Sequence, residues 1–106
     1  MVKQKTTTLK LGEICDGGLT SREEGREVLV LILKWWKLAN KIVLDFQNIH
    51  TSSISFIDET FGTLAFHFSN EELVSKLDLV NVGDSVKQMI NKIISSRRKE
   101  LEELEK

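Results

Sequence analysis

Three short stretches of this chain are rich in apolar and β-branched residues, and the long segments between them repeat their apolar residues at helical spacing. That alternation constrains the fold more than any other feature, because strands separated by helices do not pair as hairpins and instead favour a mainly parallel sheet with crossover helices packed on it. The first stretch, KQKTTTLKL, alternates loosely. Thr7, Leu9 and Leu11 fall on one side and Lys10 on the other, which suits a half-buried strand at a sheet edge. The second, NKIVLDF, contains the continuous run Ile42, Val43 and Leu44 expected of a central strand covered on both faces, with Asp45 near its carboxyl end. The third is LDLVNV.

Between the first two strands, CDGGLTSREE carries a turn signal at Gly17 and Gly18 and two overlapping capping boxes, Thr20 with Glu23 and Ser21 with Glu24. A helix is predicted from about this point, with Gly25, Val28, Leu29, Ile32, Trp35 and Trp36 on one broad face. Val30 and Leu33 fall well outside that face, either as singly exposed aliphatic residues or as a second contact surface. After Asp45 comes the polar connection QNIHTSSIS, and then Phe56, Ile57, Thr60, Phe61, Leu64, Ala65 and Phe68 recur at the spacing of a second helix. SNEELVSK makes a helical turn before the third strand, and Gly83-Asp84-Ser85 leads into a last, long helix carrying Val86, Met89, Ile90, Ile93 and Ile94. The expected architecture is a small α/β domain of order β-α-β-α-β-α, with a mixed, mainly parallel sheet and a long C-terminal helix.

A chain of 106 residues has room for one domain with one core. Residues 1–96 form the expected globular core, and RRKELEELEK, residues 97–106, a charged helical extension whose basic residues precede its glutamates, against the helix dipole. Its Leu101 and Leu104 are too few for a coiled coil, although they offer a seat for a second subunit. A net charge of −1 provides no field to attract nucleic acid or an anionic membrane. The longest apolar run, VLVLILKWW, is broken by Lys34 and is far shorter than the roughly 20 residues of a membrane-spanning helix. With one cysteine, Cys15, and no signal-peptide pattern, the expected location is cytoplasmic.

Catalytic equipment is sparse. The Walker, G-x-G-x-x-G, H-E-x-x-H and G-x-S-x-G signatures are all missing, so neither an enzyme nor a metal or cofactor site is expected. His67 sits among phenylalanines, whereas His50 is near enough in sequence to meet Asp45 or Ser52, without the oxyanion donor and shaped cleft that a nucleophilic triad requires. The most informative polar cluster is Thr51, Ser52, Ser53 and Ser55, leading into the second helix just before Asp58 and Glu59. Ser55 or Ser53 would cap that helix, and the two acidic residues suit the positive end of its dipole. A phosphoryl group on a serine here would be stabilised by helix amides and repelled by Asp58 and Glu59.

KIVLDFQNI followed by a polar turn and a helix resembles the STAS domain, named for sulfate transporters and anti-sigma factor antagonists. In that comparison Asp45 matches the strand-end aspartate and Ser55 the phosphorylatable serine. The STAS pattern Asp-Ser-Ser-Gly reads here as SISF, with Ser53, Ile54 and Phe56 replacing the aspartate, first serine and glycine. The chain is more closely similar to a divergent STAS-like family of small bacterial and phage proteins, a domain of unknown function, through LTSREEG, VLDF and SFIDE, at Arg22, Asp45, Phe46, Ser55, Phe56, Asp58 and Glu59.

In a parallel layout Arg22, Asp45, Ser55, Asp58 and Glu59 would share one edge of the sheet, the edge where open α/β folds place ligands. They are the candidate binding or regulatory residues, with an ion pair from Arg22 to Asp45, Asp58 or Glu59 expected to join the two helix starts. The resemblance implies a non-enzymatic module that binds a protein partner, a histidine-kinase-like ATPase acting as serine kinase or anti-sigma factor, with Ser55 as the switch. The alternatives are a ligand-binding protein or enzyme using an acidic cleft at Asp45, Asp58 and Glu59, with His50 beside it, and a homodimer formed through Val30, Leu33 or the C-terminal helix.

Overall fold

The computed structural model describes residues 5–15 and 18–105. Its three strands, β1 (Thr6–Lys10), β2 (Lys41–Asp45) and β3 (Leu77–Val80), form one parallel sheet in the order β1-β2-β3. β1 is therefore an edge strand, as its lysine suggested. Helix α1 (Leu11–Ile14) follows β1 directly, and α2 (Arg22–Leu38) makes the first crossover. The second crossover contains α3 (Ile54–Ile57), a π-helical turn (Asp58–Gly62), α4 (Thr63–His67) and α5 (Asn70–Lys76). The last helix, α6 (Asp84–Leu104), follows β3.

Local chemistry explains most of these boundaries. Ser21 caps α2 by accepting from the Glu24 amide while the Glu24 carboxylate accepts from the Ser21 amide; Thr20 joins by donating to the same carboxylate, so the alternative box of Thr20 with Glu23 does not form. Ser69 and Glu72 make the same reciprocal cap for α5. Gly17 and Asp16 lie outside the described residues.

The core lies between one face of the sheet and the helices. Ile42, Leu44 and Leu9 point into it, where they meet Val28, Leu29 and Ile32 of α2, Phe56, Phe61 and Leu64 of the second crossover, and Val86 and Ile90 of α6. The opposite face is open, which corrects the expectation that β2 is covered on both sides. Val43 is only half-buried, in register with Thr8 and Asp78, both exposed. One valine on the open face extends the apolar run of a strand that otherwise alternates, and the register places Lys10, Asp45 and Val80 in the next row of that face. Lys41 reaches across it to Asp78 at 3.6 Å.

The second helix differs from regular expectation as well. It begins at Ile54 and ends at His67 with helical backbone angles throughout, but its centre widens into a π turn. The turn packs tightly against α2. Gly25 of α2 lies against it so closely that a Cβ there would stand 2.7 Å from the Phe56 carbonyl and 3.0 Å from the Glu59 Cβ.

Candidate functional site

The starts of α2 and α3 are joined first by backbone. Leu19 and Ser52 form an isolated parallel bridge, the Ser53 amide donates to the Leu19 carbonyl at 2.8 Å, and the Ser52 hydroxyl donates to the same oxygen at 3.3 Å. This bridge lies outside the three strands and brings together two polar segments that carry no strand pattern.

Of the two serines able to cap the second helix, Ser53 does so, its hydroxyl accepting from the Phe56 amide at 3.0 Å. Ser55 sits one position beyond the first helical residue, exposed and outside that hydrogen bond. Its neighbour Ile54 is 64% exposed, whereas Phe56 and Ile57 are completely buried. The helix start thus presents a serine and an aliphatic side chain to solvent while anchoring itself through the next two residues.

Behind Ser55 lies a network of ion pairs. One Arg22 nitrogen donates to both Asp58, at 3.2 Å, and Glu59, at 3.1 Å. Arg26, one turn along α2, donates to the second Glu59 oxygen at 3.1 Å. From α6, Arg97 donates through two nitrogens to a single Asp58 oxygen, the Nε contact being 2.7 Å, and through its third to Glu100 at 3.0 Å. The Asp58 and Glu59 side chains are each only 14% exposed, and three arginines from two other helices surround them. Gly62 makes room for this arrangement: a Cβ there would stand 2.7 Å from an Asp58 oxygen and 3.3 Å from Arg97. The Arg97 guanidinium also lies 5.9 Å from the centre of the Phe66 ring.

The electrostatics follow from these contacts. Hydrogen bonding to Arg22, aided by Arg26, holds the Glu59 carboxyl below its ordinary pKa against the opposing effect of desolvation. The Arg22 guanidinium is in turn held in its charged form by Glu59 and Asp58, and Arg97 by Asp58 and Glu100. Such a cluster favours fixed charge over proton exchange. It fastens α2, the π turn and α6 together, and it offers the outer N–H groups of Arg22 and Arg26 to solvent.

Asp45 does not join it. Its carboxylate accepts from the Asn81 side chain at 2.8 Å and the Gln47 amide at 2.9 Å, and these bonds, led by Asn81, hold its pKa below the ordinary value. Asn81 has a left-handed backbone, φ 57°, which asparagine tolerates better than most residues, so Asp45 fastens the turn after β2 to the turn after β3. Asp45 lines a shallow depression with Lys10, Gly12, Glu13, Gln47, Asn48 and Ile49. Asp58 and Glu59 are not part of that depression, so the three carboxylates do not form the acidic cleft considered from sequence. His50 makes no hydrogen bond to Asp45 or Ser52, whose partners lie elsewhere. Among the described residues no group of three His, Cys, Asp or Glu side chains gathers to hold a metal ion.

The structure therefore brings Arg22, Asp58 and Glu59 into direct contact, leaves Ser55 exposed on the helix that carries the two acids, and sets Asp45 apart. Arg26 and Arg97 are the additional members. Arg26 was accessible from its spacing, four residues after Arg22 on one helix face. Arg97 had no such signal, because its partner Asp58 is 39 positions away.

The model of a family described as a STAS-like domain of unknown function matches residues 24–87, which include β2, the whole Ile54–His67 helix and β3. No curated protein and no solved structure matches the chain.

Proposed function

We propose a function from the premise that this chain belongs to the STAS-like family of domains of unknown function. It is a regulatory, non-enzymatic, cytoplasmic module that binds a protein partner through the edge formed by Ile54, Ser55 and the arginines of the ion-pair network. The partner has the chemistry that the STAS resemblance implies: a histidine-kinase-like ATPase able to phosphorylate a serine, or an anti-sigma-type binding protein. The observation that carries this reading is the division of labour between two serines. Ser53 has the capping role, which leaves the Ser55 hydroxyl exposed and unused by the helix.

The surrounding charge supports a switch at that position. Asp58 and Glu59 lie three and four positions after Ser55, on the same helix face, where they would repel a phosphoryl group. Arg22, Arg26 and Arg97 neutralise them, and the outer donors of Arg22 and Arg26 can accept further negative charge. Among the described residues no helix is long and apolar enough to cross a membrane.

The test is capture of partners from lysate with the wild-type chain, Ser55→Ala and Ser55→Glu, followed by mass spectrometry of bound proteins and of Ser55 phosphopeptides. Retention of one specific ATPase by wild type and Ser55→Ala, and its loss with folded Ser55→Glu, is the expected result. The same proteins captured by all three, with no phosphate on Ser55, would remove the switch.

A further inference from the structure

The face of α2 that points away from the core carries its charges in the order that suits the helix dipole. Its outward stripe reads Glu23, Glu27, Val30, Lys34 and Lys37, all exposed, with acids in the amino half and lysines in the carboxyl half. Val30 stands at the centre, 57% exposed, and Leu33 beside it is 40% exposed. A recess next to Val30, floored by Ile14 and Leu31 and rimmed by Arg22, Glu23, Arg26 and Glu27, is open to solvent. Within the described residues none of the stripe's four charged side chains makes an ion pair, whereas Arg22 and Arg26 on the flank are paired to Asp58 and Glu59.

We infer that a second copy of this chain covers that face, with the two α2 helices antiparallel about a two-fold axis at Val30. The pattern is self-complementary only in this arrangement. Glu23 precedes Val30 by seven positions and Lys37 follows it by seven, each about 10 Å along the axis. Glu27 precedes Val30 by three and Lys34 follows it by four. An antiparallel twin thus sets Glu23 opposite Lys37 and Glu27 opposite Lys34, twice over, around a Val30–Val30 contact. A parallel pairing would oppose like charges, and the attractive pairs would be lost. The aliphatic centre, with Leu33 and the recess by Ile14, supplies the apolar area that water otherwise meets. Ser55 takes no part in the pairing, but Arg22 and Arg26 rim the recess and belong to the edge proposed for the partner, so the pairing is tested on the chain alone, without partner or phosphate.

Sedimentation of the full chain over a wide concentration range tests it, with circular dichroism confirming that each variant is folded. Wild type is expected to pass from one to two chain masses as concentration rises. The pair Glu23→Lys with Glu27→Lys, and the pair Lys34→Glu with Lys37→Glu, should each weaken self-association by about tenfold or more, because four attractive contacts become repulsive. Mixing those two variants should restore a two-chain species, one all-basic stripe against one all-acidic stripe. A single chain mass for wild type at every concentration would overturn the inference. So would a dimer that neither charge reversal weakens, since its contact would then lie elsewhere.

Discussion

The Thr60 hydroxyl, completely buried in the π turn, donates to the Gly25 carbonyl of α2 at 2.8 Å. Gly25 also leaves no room for a side chain between the two helices. In an exposed helix interior, glycine to alanine stabilises by roughly 1 kcal/mol. Here the added Cβ meets a carbonyl oxygen at 2.7 Å, so Gly25→Ala should instead destabilise by about 1–3 kcal/mol, read from the denaturant midpoint. Thr60→Val, which keeps the shape and removes the hydroxyl, should cost about 1 kcal/mol.

Ser53 and Ser55 should separate cleanly by stability. Ser53→Ala removes the acceptor for the Phe56 amide and should cost about 1 kcal/mol in thermal or denaturant unfolding. Ser55→Ala should leave the midpoint within about 0.5 kcal/mol of wild type, as exposed substitutions generally do. Equal losses from the two would mean that both serines share the cap.

Acid should loosen the ion-pair network through Glu59. Its folded-state pKa lies below the ordinary 4.5, so its contribution is present above that value and is lost as pH falls through the depressed one. Glu59→Gln should therefore be less stable than wild type at neutral pH, by about 1 kcal/mol for pairs this exposed on the arginine side. The two proteins should converge in acid, and a difference that grows on acidification would contradict the assignment.

Gly62 and Arg97 should prove coupled. Gly62→Ala forces the Asp58 carboxylate or the Arg97 side chain to shift, at a cost of about 1–2 kcal/mol. Arg97→Leu alone removes the Asp58 contact. In a double-mutant cycle the two losses should add to less than their sum, because either substitution already disturbs the same pair. Full additivity would show that alanine at residue 62 leaves the Asp58 contact intact.

Burial, with Glu24 and Glu27 adding to it, raises the Cys15 thiol to about pKa 11. Alkylation near neutral pH should be slow in the native protein and fast after unfolding, since the thiolate is the reactive form. Native alkylation at the rate of a free thiol would contradict this.

Elements with paired local signals are legible in the sequence. Ser21 with Glu24 marks the start of α2, and the spacing of Val28, Leu29 and Ile32 gives its buried face. The parallel α/β order followed from the alternation, and the motifs around Arg22, Asp45 and Ser55 indicated the family that the comparison shows. The rest depended on distant partners. Helix α1 has only four residues, one of them Gly12, too short for a period. The π turn was hidden because the buried residues at 56, 57, 60, 61 and 64 keep the spacing of a regular helix through it, and its contact with Gly25 is made by a distant element. A parallel layout places Asp45 at the same sheet edge as Asp58 and Glu59, but a left-handed asparagine 36 positions later claims its carboxylate. At the start of the charged tail, composition gives no sign that Arg97 reaches Asp58 or that Arg98 donates to the Phe68 carbonyl at 2.9 Å.

The sheet register bears on how the chain assembles in time. Thr6 lies opposite Lys41 and Ile42 opposite Leu77, so both pairings join residues thirty-five positions apart. Neither can zip from a turn, and each must close a loop of similar entropy before any sheet hydrogen bond forms. β2 waits for both neighbours. Helical segments will form and dissolve early, while the sheet appears late and in one step, giving slower refolding than a helical bundle of this length. A nick in either crossover would divide the strands between two fragments, so the smallest piece that folds is expected to contain all three.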